Sequence, residues 1–155
     1  MADSSLMDQT FHYVLSTMVE RGFAPHYTEV ARALSVPPEE GKKVLHELMG
    51  TGIPCWFHPG TDFIASFAPL NNLPTQYRIT VEGRQKWFAQ CGFEALAVCW
   101  LFPGRTVTVE APCLDCGELI RLDVRDGAIE RAEPEGIFGY IDIPRKDWRK
   151  NLPYS

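Results

Sequence analysis

The spacing of apolar residues changes period partway along the chain, and that change limits the fold more than any other feature. Over residues 4–21, "SSLMDQTFHYVLSTMVER", Leu6, Met7, Phe11, Val14, Leu15, Met18 and Val19 recur at helical spacing, and Gly22 follows as a stop. A second helix is expected over residues 28–34, "TEVARAL", with Thr28 as its N-cap. "SVPPEE" then starts a third, because Pro37 and Pro38 suit a first turn, where a missing N–H costs nothing. It continues through "EEGKKVLHELMGTG" with Val44, Leu45, Leu48 and Met49 inward. "CWFHPGTDFIASF" reads as a hairpin turning at Pro59 and Gly60. Three helices and a two-stranded wing make the winged helix-turn-helix pattern. Beyond residue 105 the period becomes two. "RTVTVEA" alternates, "ELIRLDV" puts Ile120, Leu122 and Val124 on one face, and "GAIERAE" and "GIFGYIDI" follow, with breaks at 113–117, 125–127 and 133–136. That is a β-meander of about four strands.

Between the two textures lies "SFAPLNNLPTQYRIT", a linker with two prolines and two asparagines. A boundary near residues 69–75 divides the chain into an N-terminal module, 1–70, and a second domain, 76–155. A short strand is expected at "QYRIT", then a long helix over residues 81–102, halted by Pro103 and Gly104. Its second half is apolar all round, which implies burial. The expected class is α+β: a winged helix-turn-helix-like helical module, then a long buried helix packed on an antiparallel β-meander.

Charge narrows the partners. The chain carries a formal charge of −5 and a pI near 5.3, whereas phosphate neutralisation needs clustered Lys and Arg. Residues 1–80 hold five Lys or Arg against eight Asp or Glu. The third helix, the reader in a DNA-binding module, presents Glu39, Glu40, Lys42, Lys43, His46 and Glu47 with no positive excess. DNA is therefore not the expected partner, and the module's expected use is packing or dimerisation. No apolar run reaches about 18 residues, so no membrane span is expected. "MADSSLMDQT" is acidic and polar, unlike a secretory leader, which predicts a cytoplasmic protein.

Five cysteines, an odd number kept reduced in a cytosol, serve as buried apolar groups, metal ligands or nucleophiles. Cys91 and Glu94 stand three apart in "WFAQCGFEALAVCW" and share a helix face. Burial raises a carboxyl pKa and makes it a proton donor near neutrality; it raises a thiol pKa too, unless a metal replaces the proton. The pair makes chemical sense with a thiophilic metal. The plain alternative is a core thiol beside a carboxylate reaching solvent. Cys99 is expected in the core, since eight residues of helix separate it from Cys91 by about 12 Å. "PCLDCGE" sets Cys113 and Cys116 as a C-x-x-C at a hairpin turn, which is half of a zinc ribbon, a redox dithiol, or two small residues in a tight turn. Cys55 and His58 are the other close pair, so a four-ligand zinc site with the C-x-x-C is an alternative. His12, His26 and His46 show no ligand spacing.

The stretch "YRITVEGRQKWFAQCGFEALAVCWLFPGRTVTVEAPC", residues 77–113, resembles the catalytic region of alkylmercury (organomercurial) lyases. Shared are an aromatic-rich segment with a Cys and an acid three residues on, an apolar stretch, Gly-Arg-Thr, a strand and a Cys. The likeness continues more loosely through "AIERAEPEGIFGYIDIP", and the family carries an N-terminal winged-helix-like module. The resemblance implies carbon–mercury bond cleavage by protonolysis, with thiolates on the mercury of R–Hg⁺ and an acid protonating the departing carbon. It implies that Cys91 is the first mercury-binding cysteine and Glu94 the acid, which is Asp in well-known members. Cys113 matches a cysteine used structurally. Members carry a second mercury-binding cysteine past the "IDIP"-like strand, and no Cys follows Cys116 here. The alternatives are that Cys113 or Cys116 takes its place, that another chain supplies it, or that it is absent. The expected metal set is therefore Cys91, Cys113 and Cys116, with no cofactor required. Organomercurial or Hg(II) is the ligand, and Zn(II) or Cu(I) are alternatives for the C-x-x-C. A lyase, a non-catalytic sensor or carrier of soft ions on the same fold, and a winged-helix regulator with a ligand-sensing C-terminal domain are the three function classes that remain.

Overall fold

The structure, a computed structural model, describes residues 4–154. The chain divides into two compact units, Met1–Phe67 and Ala68–Ser155. It is α+β, and no helix among the described residues is long and apolar enough to cross a membrane.

The first unit holds α1 (Ser4–Arg21), α2 (Tyr27–Ala33), α3 (Pro38–Met49), β1 (Cys55–Phe57) and β2 (Ile64–Phe67). Helix α1 buries Thr10, Val14, Thr17 and Met18, one stripe at helical spacing. It ends at Gly22, whose φ of +87° suits glycine and whose N–H reaches the Met18 carbonyl at 2.8 Å. Thr28 is not the cap of α2. His26 takes that place, its Nδ1 accepting from the Thr28 N–H while the Glu29 carboxylate accepts from the His26 N–H at 3.0 Å. An imidazole nitrogen close to its own backbone does what a Ser or Thr oxygen does, and Glu29 closes the box. Pro38 opens α3 as its first helical residue, and Val44, Leu45, Leu48 and Met49 are buried as their spacing requires. Strands β1 and β2 pair antiparallel, Cys55 opposite Phe67, and the Phe11 and Phe67 rings pack at 5.3 Å.

The second unit holds β3 (Leu70–Asn71), β4 (Arg78–Val81), β5 (Arg84–Ala89), α4 (Gly92–Ala97), β6 (Val107–Pro112), β7 (Leu119–Arg125), β8 (Ala128–Glu133) and α5 (Trp148–Asn151). Its strands lie in the order β3-β5-β4-β6-β7-β8, with every pairing antiparallel. Ile120, Leu122 and Val124 face Ala111, Val109 and Val107 across β6 and β7, so the alternating residues share one face as the period of two demands.

The long helix expected over residues 81–102 does not form. Glu82 and Gly83 both have positive φ, 50° and 75°, and Val81 pairs with Arg84 across them. That is the two-residue hairpin turn whose twist suits antiparallel strands. "RQKWFA" therefore continues as β5, burying Trp87 and Ala89. The helix that remains is α4, followed by a 3-10 turn at Val98–Leu101. Nor is this segment buried all round, because Phe93 and Trp100 are exposed. The fourth meander strand is also absent. Residues 136–143 form no strand, Gly136 takes φ +77°, and Phe138, Tyr140 and Ile141 face solvent. Alternation marks a strand only where one face has something to cover it.

The turn between β7 and β8 repeats the device, with Asp126 and Gly127 at φ 47° and 84°. A Cβ at Gly127 would stand 2.5 Å from Cζ2 of Trp100. Gly127→Ala should destabilise the protein by about 1–3 kcal/mol, chiefly through its positive φ, because the exposed Trp100 ring can turn aside. Urea unfolding would show it as a lower midpoint at unchanged slope.

Candidate thiol and carboxyl site

Cys91 sits at the junction of β5 and α4. It is the N-cap of the helix, extended at φ −153° and ψ 177°, and not a residue within it as the sequence spacing suggested. Its carbonyl accepts from the Ala95 N–H at 2.9 Å, so the helix is anchored on this residue. Glu94, in the first turn, is close enough for its charge to act on the thiol. The expected pairing is therefore present, built by a cap and a first turn.

Cys91 is buried, 6% exposed. Burial pushes its thiol above the ordinary value, and Glu94 adds to that. The N–H groups of Phe93 and Glu94 face the sulfur and oppose the rise, without closing a cap hydrogen bond. A thiol in this setting gives up its proton when a thiophilic metal replaces it.

Glu94 is half-buried, and desolvation raises its carboxyl to about 7. Its Oε2 is buried with no hydrogen-bond partner among the described residues. A helix N-terminus favours a charged carboxylate by about 0.3–1 kcal/mol, which is smaller than the desolvation behind a shift of this size. The carboxyl is therefore about half protonated near pH 7 and mostly protonated below it.

Sequence reasoning missed Tyr77. It precedes β4 and is buried, its ring lying where a Cβ on Gly92 would touch it at 3.5 Å. Burial followed by Cys91 raises its pKa, and the Gln76 side chain and Gly92 N–H near the phenol oxygen oppose the rise. The Gln76 amide also donates to the Pro153 carbonyl, which ties the last described turn to this neighbourhood. The available signal was Gly92 directly after Cys91, a gap that an aromatic ring can fill.

The other predicted residues fall elsewhere. Cys99 is buried in the 3-10 turn after α4. Cys113 is half-buried and Cys116 exposed, both in the turn between β6 and β7, and no cysteine among the described residues is in a disulfide. The structure brings Cys91 to Glu94, and Cys113 to Cys116. Cys55 is buried in the first unit, at the start of β1, with His58 just past its end. Among the described residues, no group of three or more His, Cys, Asp or Glu is placed to hold a metal ion.

A model of the MerB alkylmercury lyase family matches residues 70–152, which contain β3 to α5 and the Cys91–Glu94 pair. Alkylmercury lyases of Bacillus cereus and Clostridium butyricum are each 33% identical over 123 residues, covering 77% of this chain and 51% of theirs. That of Staphylococcus epidermidis is 29% identical over 131 residues, covering 83% of this chain and 55% of its own. The chain thus spans about half the length of the curated relatives it matches. A crystal structure of the mercury-bound form of MerB2 superposes with a TM-score of 0.61 at 17% identity, over 85% of this chain and 69% of that one, a likeness of fold. The match over more than half the chain, together with the one-third identity to these lyases, establishes that this chain belongs to the alkylmercury lyase family.

Proposed function

We propose that this chain binds organomercurials through the Cys91 thiolate and cleaves their carbon–mercury bond by protonolysis, with Glu94 as the acid. The observation that carries this reading is the buried, unpartnered Oε2 of Glu94 beside a buried thiol at one helix start. An organomercurial arrives as R–Hg–thiolate. Cys91 exchanges onto mercury and its proton leaves with the solvent or the displaced thiol. A second thiolate from excess carrier thiol raises electron density at the metal. The carbon–mercury bond then breaks, its electron pair takes the Glu94 proton to give R–H, and mercury stays on sulfur as Hg(II). Glu94, left as carboxylate, regains its proton from water, which the raised pKa favours. Tyr77 and Gly92 hold the start of α4 and with it the position of Cys91.

We read the first unit as a winged-helix-type packing module that does not contact DNA. On α3, Lys42 and His46 both bond Asp62, at 2.7 and 2.8 Å, so the basic groups of that face are already engaged by an acid.

The test is a single-turnover incubation with a phenylmercury thiolate under excess thiol, with benzene followed by gas chromatography and mercury assayed after desalting. Wild type should release benzene and retain mercury. In a Cys113→Ser/Cys116→Ser background, which removes the two solvent-facing thiols, Cys91→Ser should do neither above buffer, since a hydroxyl is a poor ligand for a soft ion. Retention without benzene would overturn the cleavage step, and retention that survives Cys91→Ser in the chain lacking Cys113 and Cys116 would remove Cys91 from the site.

A further inference from the structure

The turn between β6 and β7 is built in a way the Cys91 chemistry does not use. Pro112 and Leu119 are the last pair of the ladder, and residues 113–118 close the loop between them. The Cys113 N–H donates to the Glu118 carbonyl at 2.8 Å, and the Gly117 N–H donates to the Cys113 carbonyl at 2.9 Å. Gly117 takes φ +76°, a conformation that a residue with a Cβ adopts only with strain. The loop therefore folds back on Cys113 and brings Cys116 to it. The backbone N–H groups of Cys116 and Asp115 and the Cys116 thiol stand near the Cys113 sulfur and hold it below an ordinary thiol pKa. Asp115 opposes that shift, and its carboxylate accepts from the Tyr140 hydroxyl at 3.3 Å. Unlike Cys91, this pair meets solvent: Cys113 is half-buried and Cys116 exposed.

We propose that Cys113 and Cys116 form a second, solvent-facing site that chelates one two-coordinate thiophilic cation, separately from Cys91. The ligand count decides the class of ion. Zinc in a structural site needs four ligands, and among the described residues no third His, Cys, Asp or Glu joins this pair. Calcium and magnesium need several oxygens. Two thiolates alone suit a soft d10 ion such as Hg(II) or Cu(I). The backbone N–H groups aimed at Cys113 stabilise negative charge on sulfur, and the Asp115 carboxylate favours a cation over an anion at the loop. The choice of Hg(II) as cargo rests on the function proposed above, where Hg(II) is the product left on a thiol and an exposed dithiol is a chemically competent acceptor for it. The chelating site itself does not depend on that reading.

The experiment uses the full chain, reduced, in a Cys91→Ser background, so that the buried thiol contributes nothing. Hg(II) is added as its bis-thiol complex, and retained mercury is measured by mass spectrometry after dialysis against graded competing thiol. About one equivalent per chain should be retained. Cys116→Ser and Cys113→Ser should each raise the competitor sensitivity by about 10²-fold or more, because the second thiolate of a chelate binds at high effective concentration. Cys116 is exposed, so its substitution keeps the test valid should Cys113→Ser fail to fold. No retention in the Cys91→Ser protein, or retention indifferent to Cys116→Ser, would overturn the proposal. Zinc at about half an equivalent per chain in the protein as isolated, lost in Cys116→Ser, would also overturn it, in favour of a four-thiolate site between copies. A wild-type chain that releases no benzene leaves this retention unaffected, so the two readings fail separately.

Discussion

Glu94→Gln should lower benzene release by about 10²–10⁴-fold, the usual contribution of a positioned general acid, while mercury retained on Cys91 stays near the wild-type level. Gln matches Glu in size and has no acidic proton, so binding and proton delivery separate in this one variant. Wild-type cleavage should also fall as pH rises through about 7, because the donor is then ionised. The same carboxyl predicts a stability profile. Its pKa is higher folded than unfolded, about 7 against an ordinary 4.5, so the folded state binds more protons between those values. Stability is then greatest below about 4.5 for this group and declines as pH rises to about 7. The full shift corresponds to roughly 3 kcal/mol, and partial solvent access reduces it to about 1–3 kcal/mol. Glu94→Gln should lack that decline and equal or exceed wild type at pH 8. Urea unfolding at pH 5 and pH 8 measures it, and a wild-type profile as flat as that of the Gln variant would mean that Glu94 is not held protonated.

The sequence disclosed those parts of the fold that one short-range pattern determines. Helices α1 and α3 follow from their apolar stripes, and strands β6, β7 and β8 follow from alternation and the turns between them. Over residues 81–102 a run rich in aromatic and aliphatic residues fits a buried helix as well as a buried strand. The deciding information lay in two residues, Glu82 and Gly83, whose turn geometry commits the next six to β5. Residues 136–143 have the alternation of a strand and lack a covered face, which no local pattern reveals. At the candidate site, the proximity of Cys91 and Glu94 was legible because a cap and a first turn keep i and i+3 together, much as a helix interior does. The raised carboxyl pKa depends on burial by distant segments, and Tyr77 reaches the site through packing against Gly92. Neither could be read from spacing.

Gly41→Ala should destabilise the first unit, although a helix interior ordinarily gains about 1 kcal/mol from that exchange. Gly41 lies within α3 and is buried where α2 crosses it. A Cβ built there meets Ala31 Cβ at 2.5 Å, Cα at 2.8 Å and N at 2.9 Å. Two of those three atoms are backbone, so no rotamer change relieves the clash and the two helices must separate. Separation opens contacts along the buried residues Val30, Ala31, Val44 and Leu45, and overpacking of this kind costs about 1–3 kcal/mol or more. The steric term therefore outweighs propensity, and the net loss should be about 1–2 kcal/mol for Ala and larger for Val, which adds two methyl groups to the same gap. Ala31→Gly removes only the 2.5 Å contact. The double variant should accordingly recover part of the loss and not all of it, giving a coupling energy within the range of about 0.5–3 kcal/mol seen for residues in contact. Urea unfolding of the four proteins measures that cycle. Simple additivity, or a Gly41→Ala protein more stable than wild type, would show that α2 and α3 are not held at this distance.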